Sequence, residues 1–256
     1  MNDVVREVRD DRGVVTLTLH RPEVRNAFDP RMMGAVAEAA ARLADDEGVR
    51  AVVLTGSGQA FSAGADLTWM ADAADYTVEE NVADARGFEA MLRAVAELPM
   101  PVLARVNGHA IAGASGLLAC VDVAVAVRGA KFGFTEVQLG LVPAMVSAYV
   151  QPRIGVHHAR RYLLTGELFD ADRAVEIGLI QQACEPDELD VVFERLLGTV
   201  LAGGPAAQRE VKRLIAALEH APAPADTEEL RVHSIARARV GDEAQHRLER
   251  FLHRPR

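Results

Sequence analysis

The chain has 256 residues, half of them apolar, with 28 Lys and Arg against 37 Asp and Glu, for a net charge of -9. That length buries enough apolar surface to fold without disulfide staples, and the acidic balance disfavours a nucleic-acid partner, whose affinity rests on clustered Lys and Arg. The longest apolar stretch, Leu117 to Val127, is broken by Asp122 and falls far short of the roughly 20 residues of a membrane helix.

The N-terminal MNDVVREVRD is acidic and does not read as a signal peptide. VVTLTL, Val14 to Leu19, alternates with period two and predicts a strand, as does the β-branched run Arg50 to Gly56. Between them Asp29 caps and Pro30 opens a helix whose positions Met33, Val36, Ala37, Ala40, Leu43 and Ala44 share a face. A second helix is expected from Thr77, on the helical spacing of Val78, Val82, Ala85, Met91, Leu92, Val95 and Leu98, and Pro99 and Pro101 end it. PVLARVNG then reads as a buried strand entering a turn, and VDVAVAV and KFGF supply further strands. Strands alternating with helices predict parallel pairing with right-handed crossovers, an α/β fold.

From Ala144 onward the signal is almost entirely helical. Leu189, Val192, Phe193, Leu196, Leu197, Val200 and Leu201 form one stripe, Pro205 opens a helix carrying Val211, Leu214 and Leu218, and APAPAD, Ala221 to Asp226, reads as a linker before a charged terminal helix. Residues 1–200 are expected to form the core and 201–256 a helical C-terminal region. Cys120 and Cys184, unmatched and in apolar surroundings, fit a reducing compartment, so the expected location is the cytoplasm.

Three segments carry chemistry. In GSGQAFSAGADLTWM, Gly56 to Met70, small residues continue past the turn to Asp66, which lets backbone N–H groups approach a ligand. The glycines match no nucleotide-phosphate loop. In NGHAIAGASGLLACVD, Asn107 to Asp122, the N–H groups around Gly113 fall at a helix start, which attracts negative charge. In KFGFTEVQLGLVPA, Lys131 to Ala144, Glu136 stands among apolar residues.

Together with RPEVRNAF near the start and LTGELFDADRAVEIGLI, Leu164 to Ile180, these segments resemble the enoyl-CoA hydratase/isomerase (crotonase) family in order and separation, from Val4 to Phe251. The resemblance implies a spiral of repeated β-β-α units, a helical C-terminal region that assembles homotrimers or homohexamers, and a coenzyme A thioester ligand, with no cofactor beyond the coenzyme A of the substrate. It also implies an oxyanion hole from the backbone N–H groups of Ala65 and Gly113, with Glu136 as acid/base. Ala63, Asp66 and Leu67 would lie along the coenzyme A path, and Arg25 and Ala27 at its entrance.

The chemistry makes one physical demand. A carboxylate cannot remove a proton beside a thioester carbonyl at neutral pH unless the charge moving onto oxygen is stabilised, and loss of one preorganised donor costs about 10²–10³ in rate. Typical hydratases of the family carry a second glutamate on the helix after the oxyanion glycine, and this chain has Gly116 there. Three readings stand. The parts FSAGADLTWM, Gly116 and TEVQLGLVPAMVSAYV look closest to bacterial methylglutaconyl-CoA hydratases, with Gly116 leaving room for a branched or carboxylated acyl chain. A Δ3,Δ2-enoyl-CoA isomerase needs only one glutamate. A non-catalytic acyl-CoA binder is the third.

Other polar residues read more plainly. His109 fits a turn or core edge. His157 and His158 lack metal-ligand spacing, and Ser62 and Ser115 lack the partners of a nucleophile. Ser147 and Tyr149 are candidate pocket donors, and Trp69 and Met70 are expected to pack.

Overall fold

The computed structural model describes residues 4–219, 221 and 223–253. Residues 1–3 of the N-terminal segment and Pro222 of the expected linker lie outside the described residues. The chain opens with β1 (Val5–Arg9) and β2 (Val14–Leu19), then α1 (Pro30–Ala44), whose first turn is held by Asp29 accepting from Met32 N at 2.8 Å. β3 (Ala51–Gly56), β4 (Ala60–Ser62), the short α2 (Leu67–Asp72) and the long α3 (Val78–Ala96) follow, and Thr77 with Glu80 forms a capping box at the start of α3. Next come β5 (Val102–Val106), β6 (His109–Ile111), α4 (Gly113–Ala119), β7 (Val123–Val127), β8 (Lys131–Gly133) and α5 (Ala144–Thr165). β9 (Phe169–Asp170), α6 (Ala171–Glu176), β10 (Gln182–Cys184), α7 (Leu189–Ala202), α8 (Pro205–Glu219), α9 (Glu228–Val240) and α10 (Asp242–Leu252) complete the order.

The strands form two sheets with a shared logic. The larger runs β1-β2-β3-β5-β7-β10 and the smaller β4-β6-β8-β9; β1 and β9 pair antiparallel and every other pairing is parallel. Each of the pairs β3–β4, β5–β6 and β7–β8 gives its first strand to the larger sheet and its second to the smaller, so the chain advances as a spiral of strand pairs and helices. The repeat is one of structure, with no echo in the sequence. α1 and α3 pack on each other, and α7 lies against β5 and β7. The core joins the strand residues Leu17, Val52, Leu54 and Leu103 to Met33, Val36, Met91 and Leu92 of the helices, each contributing about 1.5–3 kcal/mol when fully buried.

Some expectations change. β1 was not foreseen, because as an edge strand it buries only Val5 and exposes Val8 between the charged Arg6, Glu7 and Arg9. The C-terminal part is interrupted by β9 and β10, two and three residues long, too short to register as a period. In α3, Val78 and Val82 are exposed, and the buried face is Met91, Leu92 and Val95 alone. Val211 and Leu218 of α8 are also exposed. Cys120 and Cys184 are both free and buried, and burial pushes each thiol up, which keeps it protonated. No helix among the described residues is long and apolar enough to cross a membrane.

Candidate active site

Three loops leave the C-terminal ends of three adjacent parallel strands in the smaller sheet. β4 leads to Ala65, β6 to Gly113 and β8 to Glu136, in the lateral order β4-β6-β8. Neighbouring strands lie about 4.8 Å apart, so the turn before Gly113 emerges between the other two, at the strand ends where parallel sheets present ligand sites.

The first loop is held by main-chain bonds to the RPEVRNAF segment. Ala63 N donates to Arg25 O at 2.9 Å, Phe28 N to Gly64 O at 2.7 Å and Asp66 N to Phe28 O at 2.9 Å. Phe28 and Ala65 thus form a parallel bridge that uses the flanking Gly64 and Asp66. The N–H of Ala65 points away from Phe28 and makes no backbone bond among the described residues. Gly64 has φ +87°, and a Cβ there would stand 2.7 Å from Ile111 O and 3.1 Å from the Cβ of Ala112, so only glycine lets the first two loops touch.

The second loop turns sharply. Ala112 caps α4 with φ 50° and ψ -123°, its N–H bonded to Gly133 O at 2.7 Å, and the first amide to return into the helix is that of Gly116, to Ala112 O. Gly113, Ala114 and Ser115 therefore present N–H groups that make no backbone bond among the described residues. Ser115 Oγ donates to Ala110 O at 2.6 Å and accepts from Gly133 N at 3.1 Å, a structural staple between β6 and β8. Phe88 of α3 lies over Gly113 and packs on Phe28, with ring centroids 6.1 Å apart.

The third loop places Glu136 in a short 3₁₀ turn, Thr135–Leu139, closed by Gly140 in the left-handed region and anchored where Gln138 donates to Gly166 O at 2.8 Å. The Glu136 Oε2 is buried and has no hydrogen-bond partner among the described residues. Burial pushes its carboxyl above the ordinary range, against a smaller opposing pull from its own backbone N–H. A carboxyl that keeps one buried oxygen unpaired is equipped to exchange a proton with a ligand rather than with the protein.

The remaining expected residues separate. Arg25 is exposed and in the left-handed region, with no side-chain acceptor among the described residues, while Ala27 is buried. Leu67 is 76% exposed at the start of α2. Asp66 faces inward to the protein: it caps α2 through Thr68 N at 2.9 Å and pairs with Arg21 at 2.7 Å. Burial pushes its carboxyl up, but Arg21 and the backbone N–H groups outweigh that and hold it low. Its side chain is thus committed to the loop. Gly116 departs from expectation in one respect. A side chain there would collide with Val146 of α5, itself 1% exposed, so the volume freed by the glycine is filled by valine and is not left open for an acyl chain. Ser147 and Tyr149 already donate to Ala144 O and Glu89, and His109 Nδ1 accepts from Lys131 N where the exposed first residues of β6 and β8 meet.

Sequence reasoning missed the residues that hold the first loop. Arg21 reaches Ala27 O and the carboxylates of Asp29 and Asp66. Asn26 is fully buried with φ 57°, donating to Ser57 O, Ala60 O and Phe61 O and accepting from Arg21 N and Ser57 Oγ. Asn tolerates the left-handed region better than most residues, and the Arg-Asn step in RPEVRNAF was the available signal. A separate cavity under α7, lined in part by Arg12, Thr55 and Arg105, includes none of the loop residues, and its arginines are already paired with Glu194 and Asp190. No group of three metal-binding side chains occurs among the described residues.

Comparison with known proteins shows the family and the fold. Residues 9–252 match the family model described as enoyl-CoA hydratase/isomerase. The chain is 32% identical to the crotonyl-CoA hydratase of Syntrophomonas wolfei, over 78% of this chain and 76% of that protein. It is 34% identical to the 1,2-epoxyphenylacetyl-CoA isomerase of Escherichia coli, over 73% and 72%. The crystal structure of an enoyl-CoA hydratase from Mycobacterium smegmatis superposes with a TM-score of 0.93 at 34% identity, covering 99% of this chain and 98% of that one.

Proposed function

Since the chain belongs to the enoyl-CoA hydratase/isomerase family, we propose that it hydrates a 2-enoyl-CoA, with Glu136 as the single acid/base and the N–H groups of Ala65 and Gly113 as the oxyanion hole. The observation that carries this reading is the buried, unpartnered Oε2 of Glu136, whose carboxyl burial pushes up, in the turn after the strand next to the one that leads to Gly113. In this mechanism the thioester oxygen takes both N–H donors as charge develops on it, and the ionised Glu136 draws a proton from water as the water adds at C3. The same carboxyl then returns that proton to C2, so no net proton is lost. Arg25, exposed at the entrance, would meet coenzyme A phosphate, and Ala63 and Leu67 would flank the pantetheine.

The finer reading of the substrate is a branched or carboxylated acyl group such as 3-methylglutaconyl, supported by FSAGADLTWM and TEVQLGLVPA. Gly116 no longer supports it through open volume; its part is to leave the site without a second carboxylate. That same absence favours the Δ3,Δ2-isomerase as the second reading, since one carboxylate suffices to carry a proton between C2 and C4. We further propose a homotrimer or homohexamer, supported by exposed Val211, Ile215, Val232, Ile235, Leu248 and Phe251 on α8 to α10.

The decisive test is Glu136→Gln, assayed on 2-enoyl and 3-enoyl thioesters with products identified by chromatography. Turnover is expected to vanish while thioester binding stays within a few-fold. Wild-type rates in the variant would remove Glu136 from the mechanism, and formation of 2-enoyl from 3-enoyl thioester without hydration by the wild type would select the isomerase.

A further inference from the structure

Two side chains on the loops at this end of the smaller sheet keep a buried polar atom with no partner among the described residues: Glu136, through Oε2, and Trp69, through its indole Nε1. The second was expected only to pack. Trp69 sits at the third position of α2, the helix that leaves the Ala65 loop. Leu67 and Thr68 before it are exposed, whereas Trp69 turns inward and packs on the core. Its ring therefore has an apolar explanation, but its N–H does not. The indole N–H is the only polar atom of that side chain and can only donate, so burying it without an acceptor carries the full desolvation penalty. Among the other unpaired atoms, Arg50 and Arg153 spend other guanidinium hydrogens on backbone carbonyls, Gln208 spends its Nε2 on Val200 O, and His20, whose Nδ1 is also unpaired, follows β2 outside these loops.

Building on the acyl-CoA reading above, we propose that the Trp69 N–H is a specificity-determining donor for an oxygen acceptor on the acyl chain. The carbonyl end of the substrate is fixed at Ala65, and Trp69 lies one helical turn past the capping Asp66. Its partner is accordingly an oxygen several bonds beyond the thioester carbon, as in the monothioester of a branched dicarboxylic acid. Hydrogen bonds to an ionised acceptor are the stronger kind, and they leave a neutral alkyl chain of the same shape at a disadvantage.

Trp69 is the only tryptophan in the chain, so its emission reports on this one N–H. The probes are two non-reactive saturated thioesters differing by one distal carboxylate, 3-methylglutaryl-CoA and isovaleryl-CoA. Titration of the wild-type protein with the carboxylated thioester is expected to shift the emission to the red, and with isovaleryl-CoA to shift it far less. Calorimetry on Trp69→Phe, which keeps an aromatic ring and removes the donor, is expected to weaken 3-methylglutaryl-CoA about tenfold more than isovaleryl-CoA. Equal emission shifts, or equal losses of affinity in the variant, would overturn the role of Trp69 and leave the acyl-CoA reading standing. Failure of the wild-type protein to bind either thioester would instead overturn the acyl-CoA reading of this pocket.

Discussion

Glu136 is held at a thermodynamic disadvantage that its proposed role would use. Its folded carboxyl lies above the unfolded one because burial disfavours the charge. The folded state therefore binds the proton more tightly, and stability falls as pH rises through the window between the two values. Glu136→Gln removes that titration. At neutral pH the variant is expected to melt higher than the wild type, and below the ordinary carboxylate range the two should converge, as scanning calorimetry at several pH values would register. A variant no more stable at neutral pH would mean that the carboxyl is better solvated than its surroundings suggest. Glu136 itself was legible in the sequence, by its place in TEVQLGLVP; its lack of a partner was not, because solvent closure depends on which chain segments converge around it.

The pairing of α4 with α5 shows what one element imposes on another. Gly116 and Val146 share one space: a methyl at 116 is expected to cost about 1–3 kcal/mol through overpacking. Val146→Ala alone leaves a cavity. The double variant Gly116→Ala/Val146→Ala should be more stable than the sum of the single losses allows, by about 1 kcal/mol or more, in urea melts. Strict additivity would show that the two helices adjust independently. A carboxylate at 116 would equally require Val146 to be shortened. Sequence reasoning saw Gly116 and drew the wrong volume from it, because the residue that fills the gap lies 30 positions away on a different helix. Helices with a strong stripe, α1 and α7, were read correctly, since their apolar spacing is local, as is the Asp29 cap of α1. β6, β9 and β10, at two or three residues, exist only through their neighbours.

At the scale of the whole molecule, the last three helices keep apolar side chains in water, among them Ile235 and Phe251. Light scattering after size exclusion is expected to give three or six chains per particle, and Ile235→Asp with Phe251→Asp should shift the population toward single chains. A wild-type protein that runs as one chain at all concentrations would leave that apolar surface without its proposed use. Parallel α/β pairing was legible from the alternation of strands and helices and the spiral only from the family resemblance, whereas the division into two sheets was not legible, since the short strands of the smaller one carry no period. The strip joining residues 25–28 to 63–66 is held by amide hydrogens and carbonyl oxygens, which survive substitution at Arg25, Ala63 and Ala65, while Asn26, Phe28, Gly64 and Asp66 are fixed by packing and pairing. Mutation at those three positions can therefore reshape what the loop touches while the direction of the Ala65 N–H persists, and a lineage built on such a chassis can drift in diet without relearning its reaction.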